Sequence, residues 1–533
     1  MNLARSSAVI AAGTLASRGT GLIRTIVLVA AIGQIGQASD AFATANALPN
    51  ALLMVISTGL LTGVIVPHVV AVSAQADGGR SVLPKLLTMG MVMLIAVTAV
   101  AMLLAPSLVW LFAAGFTPEQ RALSTAFAYW CIPQVFFYGM FALVGEMLNA
   151  RRIFAPYAWA PIVNNVVSIV GFGIVIALFG GDRRLLEDWS PVSIAVLAGT
   201  ATLGIVAQTV VLLLFWRRTG IPLRFDFHWR GIGLGGLSRR ASWTFATMLV
   251  GLSAGVVQQR QISAVSGDDA SVFVWQNAWL VYMLPYSLVV LSIGTPYFTR
   301  ISEQVTAQRY DELRADIDRA IRVLGLFIVI ASAAVIAAAV PAARIFTNNS
   351  SDALASAPVL IAFLFALTPM AVLFIVQRTF YAYGDTRTPF WFSLVQATLV
   401  VLLTFLAVGV ATDATLTAAV AAGQTLAGVV QVTLASWLLR RRIGAFGLAG
   451  AVGALSRFAL AALPAWAAGY GVFLLSGGVD GWMLADKGWG ALGTVVIGLV
   501  AIAVYVGVLA LFRAPELRMG ITLLRGRFGR FGR

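Results

Sequence analysis

Apolar positions in this chain neither alternate with polar ones nor recur at every third or fourth place; they run on for roughly 20 residues or more between short polar interruptions. A strand crossing a bilayer would alternate over about ten positions, so the pattern predicts membrane-spanning helices. The runs fall near 7–33, 41–72, 84–113, 122–148, 154–179, 191–216, 241–265, 270–298, 321–343, 355–382, 388–411, 414–438, 450–476 and 489–512, fourteen spans in all. The second is longer than the hydrocarbon requires, and part of it is expected outside the membrane. The predicted fold is that of an all-α polytopic membrane protein.

Composition agrees. Of 533 residues, 60% are hydrophobic and 11% charged, which excludes a soluble globular domain and a disordered chain. Lys and Arg accumulate on the cytoplasmic side of membrane proteins. With the N-terminus inside, the inward loops and tails hold 26 of the 36 basic residues, among them Arg151-Arg152, Arg217-Arg218, Arg239-Arg240, Arg440-Arg441-Arg442 and the tail from Arg513 to Arg533. Outward loops hold Arg121, Arg183, Arg184, Arg344 and Lys487. Both termini are therefore expected in the cytoplasm, and the net charge of +15 needs no nucleic-acid partner to explain it.

The mixed-charge stretch 300–322 reads as a cytoplasmic helix or loop serving as a solvated connector. The tail from Arg518 reads equally as an interfacial anchor on anionic lipids or as a disordered basic end. The first apolar run is too long for a cleavable signal peptide and lacks a small-residue cleavage pattern. A lone Cys131 excludes an intramolecular disulfide and a cysteine metal site. Beside it stand only His68 and His228, with no intramembrane carboxylate pair. No catalytic residue, metal or cofactor is expected, and an enzyme is the least favoured class.

The spans carry marks of a duplication. Pro49 in ALPNALLMVIS and Pro285 in MLPYSLVVLS are 236 residues apart, as are Arg24 and Arg260; Gly59 and Gly294 follow at nearly the same distance, and Pro156 and Pro389 lie 233 apart. Two six-helix repeats entering from the same side predict an N-lobe over 1–218 and a C-lobe over 219–443, with two further helices over 444–513 and a basic tail over 514–533. Two such halves suggest a transporter with its site between them.

The stretch ASRGTGLIR carries the sharpest chemical signal. An arginine near the middle of a spanning helix costs about 2.5–3.5 kcal/mol on the insertion scale, so Arg18 and Arg24 must face protein or a wet cavity. Gly19 and Gly21 predict a local interruption that lets both side chains converge. Arg18, Arg24, Arg260, Arg378 and Arg457 lie within or near spans, against Asp40 and Glu146 as the comparably placed acids. The excess of guanidinium groups calls for an anionic visitor, phosphate or carboxylate; Arg378 and Arg457 are weaker candidates, being near ends where they can snorkel.

ASRGTGLIR, SDAFATANALPN at 39–50, ALVGEMLNARRIFAPYAWAPIVNN at 142–165 and RTFYAYGDTRTP at 378–389 together resemble the MurJ (MviN) lipid II flippases of the multidrug/oligosaccharidyl-lipid/polysaccharide exporter superfamily. The resemblance covers essentially the whole chain. It implies a bacterial cytoplasmic-membrane carrier, acting in peptidoglycan synthesis, that moves an undecaprenyl-pyrophosphate-linked precursor to the outer leaflet. It places Arg18 and Arg24 in a cationic cavity holding the pyrophosphate, adds Asp40 and Asn50 as substrate contacts, and makes helices thirteen and fourteen a groove for the lipid tail. Cell-wall synthesis enzymes are the expected protein partners.

Two departures stand out: Ala51, Leu52 and Leu53 follow Leu-Pro-Asn where many members carry an arginine, and WLVYMLP at 279–285 lacks the arginine others carry before the proline. Arg260 is the candidate to restore one charge. Alternating access with Gly19, Gly21, Pro49 and Pro285 as hinge points is the expected mechanism. The sodium site of some relatives cannot be carried over, since helices seven, eleven and twelve have no acid in their apolar interiors. The alternatives are a flippase for another polyprenyl-pyrophosphate saccharide and a non-transporting cell-wall scaffold. A multidrug exporter, which would want acids in its cavity, is disfavoured.

Overall fold

The computed structural model describes residues 3–58, 82–222, 224–228, 239–517 and 519. Gly59, His68, the remainder of the second expected span and nearly all of the tail from Arg518 lie outside the described residues. Within them every regular element is helical, apart from a single β-bridge between Ser266 and Asp269.

The first half contains α1 (Leu3–Ile32), α2 (Gln37–Ile56), α3 (Leu83–Leu103), α4 (Ala105–Phe112), α5 (Pro118–Cys131), α6 (Gln134–Ala150), α7 (Ala155–Phe179), α8 (Pro191–Leu214) and α9 (Arg239–Ile262). The remainder runs through α10 (Val272–Pro285), α11 (Ser292–Thr306), α12 (Tyr310–Ala337), α13 (Ala339–Arg344), α14 (Ser350–Leu364) and α15 (Leu367–Ala382). The last four helices are α16 (Arg387–Val410), α17 (Asp413–Ile443), α18 (Leu448–Leu475) and α19 (Lys487–Leu511).

Among the described residues twelve segments are long and apolar enough to cross a membrane. They coincide with every expected span except the second and the seventh. Those two are the polar ones: α2 carries Ser39, Asp40, Asn46 and Asn50, and α9 carries Gln258, Gln259, Arg260 and Gln261. A helix so composed needs protein or water beside it rather than lipid.

Several spans are broken, and proline sets where. Proline cannot donate to the carbonyl four residues back. α3 gives way to α4 just before Pro106, α5 to α6 at Pro133, α12 to α13 ahead of Pro341, and α14 to α15 ahead of Pro369. At Pro285 the α10 helix passes into a π-helix, Tyr286–Leu291, before α11 resumes. Pro49, by contrast, sits buried inside a continuous α2, with π-type turns recorded at 57–58.

The interruption expected at Gly19 and Gly21 is absent, because α1 is unbroken from Leu3 to Ile32. Thr20 and Thr25 bond back to carbonyls one turn earlier, and Asn165 supports the same stretch from α7. A Cβ on Gly19 would meet nothing within 4 Å. Gly19→Ala is therefore expected to raise the thermal midpoint, by the equivalent of about 1 kcal/mol of helix propensity, and to leave transport within about twofold. A folded G19A protein that no longer transports would restore a hinge at this position.

Packing divides the chain into Met1–Phe273 and Val274–Arg533. The lobe boundary expected from the sequence lies at 218/219; the division by contacts falls after α9, which packs on α2 and α4. In the first unit α7 lies against both α1 and α8. α1 closes at Gly33, whose φ of 78° lies in the left-handed region and whose missing side chain leaves room for Arg184.

In the second unit α12 is the central helix, packed on α15, α18 and α19. Within its first half it is pinned at Arg322 by Glu516, 1% exposed, which accepts from Arg457 of α18 at 2.9 Å and from Arg322 at 3.4 Å; Asp318 holds the other side of Arg322 at 2.8 Å. The mixed-charge stretch 300–322 is helical on both sides of an exposed turn at 307–309. α11 and α12 form a helical hairpin, and the buried Asp316 takes Arg300 at 2.8 Å and Gln304. Arg344, counted with the outward loops, ends α13, is buried and donates to the carbonyls of Leu484, Thr347 and Ala485.

Candidate functional site

α1 presents the two arginines of ASRGTGLIR from one continuous helix, so they leave its axis about 120° apart and about 9 Å apart in height. Both are half-buried. The face between them is ordered from α7: Asn165 donates to the Ser17 carbonyl and to Thr20 Oγ1, each at 2.9 Å, and approaches Gly21. Tyr138 of α6 lies close enough to feel the charge of Arg24. Among the described residues no carboxylate stands within ion-pair distance of Arg24.

Asp40 is committed elsewhere. It is 2% exposed, and its two oxygens accept from Ser266 Oγ at 2.6 Å and from the Phe273 backbone N–H at 2.8 Å, at the start of α10. Gln120 of α5 donates to Ser266 at 2.7 Å and to the Gln37 carbonyl at 2.9 Å, and the Gly115 N–H donates to Ser263. A Cβ on Gly115 would fall 2.5 Å from the Ala264 nitrogen, so only glycine permits this approach. The network joins α2, α5 and the α9–α10 turn at one end of the first unit. Asp40 thus ties α2 to the α9–α10 turn, while Asn50, further along α2, is exposed.

Asp40→Ala would strand the Ser266 hydroxyl and the Phe273 N–H. It is expected to destabilise the protein by about 2–3 kcal/mol, read as a lowered thermal midpoint that Asp40→Asn, which keeps one acceptor, recovers in part.

The other basic residues separate by environment. Arg260 sits in the last turn of α9 with its guanidinium 4.6 Å from the Trp110 ring of α4. It is two residues from the end of α9, whereas Arg24 is eight from the end of α1. Arg378 is held between Phe298 and Phe374, 5.2 Å from each ring, with no carboxylate within ion-pair distance among the described residues. Arg457, counted with the unmatched cations by its place in the sequence, is matched by Glu516. In the loop of RTFYAYGDTRTP, burial works to raise the Asp385 carboxyl, but donors from Thr388 and the Arg442 guanidinium outweigh it and hold it below the usual carboxylate range. This part of the motif fixes the start of α16.

The second unit contains a cavity of about 940 Å³ between α12, α14, α15 and α18, walled by Ile336, Leu364, Leu455 and Phe473. Trp466 and Tyr470 stack at 5.6 Å along its α18 wall. No group of three or more metal-ligating side chains occurs among the described residues, and His228 is exposed beside Asp226.

This assembly of kinked, apolar helices has the fold of the MOP-superfamily transporters. One solved structure described as lipid II flippase MurJ, inward closed conformation, superposes with a TM-score of 0.70 over 94% of this chain and 98% of that one at 19% identity. An inward-facing MATE family multidrug resistance transporter of that superfamily gives 0.65 over 80% and 94% at 18%. Within this class, the family model for lipid II flippase MurJ matches residues 29–484, and the chain belongs to that family. A protein of Synechocystis sp. named probable lipid II flippase MurJ is 24% identical over 462 residues, 84% of each chain. One of the same name from Rickettsia prowazekii is 25% identical over 402 residues, 73% of this chain and 75% of its own.

Proposed function

We propose that this protein transports lipid II, the polyprenyl-diphosphate-linked peptidoglycan precursor, from the inner to the outer leaflet of the bacterial cytoplasmic membrane. The observation that carries this is Arg24, a guanidinium within a spanning helix that no described carboxylate neutralises. Its fork matches the paired oxygens of a diphosphate. Arg18 supplies a second charge on the same helix, and Arg260 a third, stacked on Trp110 and ready to meet the anion nearer the helix ends.

Family membership and the relatives' names support the cargo, and the protein is a carrier rather than an enzyme. The apolar cavity of the second unit, beside α18, takes the polyprenyl tail; its size and lining suit a chain of isoprene units. Alternating access moves the headgroup, with the π-helix after Pro285 as the principal hinge, since π-type turns mark places where a helix changes register. Both termini lie in the cytoplasm on the distribution of arginines. Outward movement of an anion is then favoured by an inside-negative potential, by roughly 2.3 kcal/mol per charge per 100 mV. Enzymes that polymerise the exported precursor are the natural protein partners.

Depleting the resident lipid II flippase of a bacterial host while expressing this chain tests the proposal. Precursor should continue to appear on the outer surface. Loss of that exposure with the chain correctly inserted would transfer the cargo to another polyprenyl-diphosphate saccharide or leave the protein a scaffold.

A further inference from the structure

The first unit has a second feature that the proposed function leaves unassigned. At the end where Arg151, Arg152, Arg217 and Arg218 cluster, a cavity of about 790 Å³ opens between α1, the start of α7 and the end of α8. Its walls are apolar, from Val9, Phe154, Ile162 and Val211, and Arg152 and Arg218 stand among them. Trp159 closes the seam by donating to the Val9 carbonyl at 3.2 Å, over Gly13, where a Cβ would come within 2.7 Å of the indole nitrogen. Arg218 lies 4.9 Å over the Phe215 ring, and both arginines are exposed with no ion pair among the described residues.

We propose that this groove binds an anionic phospholipid of the surrounding leaflet, its phosphodiester held by Arg152 and Arg218 and one acyl chain laid along the apolar wall. A slot of hydrocarbon character with guanidinium groups at the level where loops emerge reproduces the two halves of such a lipid. Basic pockets between spanning helices on the cytoplasmic side recognise anionic headgroups in this way. Arg152 adopts a left-handed backbone, φ 60°, which turns the chain immediately before the groove wall. The bulk lipid, present at high concentration in the leaflet, is the occupant rather than the transported precursor, whose diphosphate is assigned to α1.

The test uses the full chain in detergent micelles, offered equal amounts of phosphatidylglycerol and phosphatidylcholine, with retained lipid read by native mass spectrometry. Wild type should retain phosphatidylglycerol with a preference of about tenfold. Arg152→Gln/Arg218→Gln should abolish the preference, Arg152→Lys/Arg218→Lys should keep most of it, and Arg217→Gln, an exposed neighbour outside the groove, should not change it. No preference in wild type, or one that survives the double glutamine substitution, would overturn the proposal. Displacement of phosphatidylglycerol by undecaprenyl diphosphate in wild type but not in the glutamine variant would reassign the groove to the precursor. Retention of lipid is measured without transport, so a failed cargo assignment and a failed groove assignment give different results.

Discussion

Arg24→Ala is expected to abolish precursor export while leaving the protein folded and inserted. The side chain makes no ion pair among the described residues, so its loss strands no partner and removes an intramembrane charge that is costly to bury. What disappears is the anion site. Two charge-assisted hydrogen bonds to a diphosphate contribute about 3–6 kcal/mol together, and at 1.4 kcal/mol per tenfold their loss lowers transport by at least about 100-fold. Arg24→Lys should be intermediate, because an ammonium keeps the charge but not the planar fork. Complementation of a flippase-depleted host, with membrane abundance measured alongside, checks both. Full activity of Arg24→Ala at normal abundance would remove this residue from the mechanism.

Glu516→Ala should act in the opposite sense, on stability rather than on transport chemistry. Glu516 is buried and joins Arg322 and Arg457 across α12 and α18. Removing the shared partner of a buried pair typically costs 3–5 kcal/mol, and the lower end applies because Asp318 still holds Arg322 and Arg457 is half exposed. A fall in the thermal midpoint of the purified protein is expected, larger than that of Arg457→Ala, which leaves the Glu516–Arg322 contact in place. Arg457→Ala should also transport normally per folded molecule. An unchanged midpoint in Glu516→Ala would show that the network contributes nothing to holding α18.

The class and the positions of twelve spans were legible in the chain because continuous apolar runs have a length that only helices crossing a bilayer require. The breaks within spans were legible in part. Proline at 106, 133, 341 and 369 marks real discontinuities, whereas Gly19 and Gly21 looked like a break and are not one. Glycine permits a kink without forcing it, and α1 runs unbroken through both positions, with Asn165 bonded to it from α7.

The cations were visible as residue types in apolar surroundings, but their partners were not. Glu516 lies 59 residues from Arg457 in a stretch that reads as the start of a basic tail, and Asp40 is consumed by Ser266 and Phe273 more than 220 residues away. No local periodicity encodes such pairings. Asn165 and Tyr138 were also missed as neighbours of α1, although the Asn-Asn pair at 164–165 inside an apolar span was a signal that could have been followed.

The central claim is that the charge on α1 holds the diphosphate of the cargo, and binding tests it more directly than transport does. Undecaprenyl-diphosphate-linked precursor should be retained by the purified wild-type protein under native mass spectrometry, lost with Arg18→Ala/Arg24→Ala, and left undisplaced by the same polyprenyl chain lacking its diphosphate. Equal retention by wild type and the double variant, or effective displacement by the uncharged polyprenol, would contradict it.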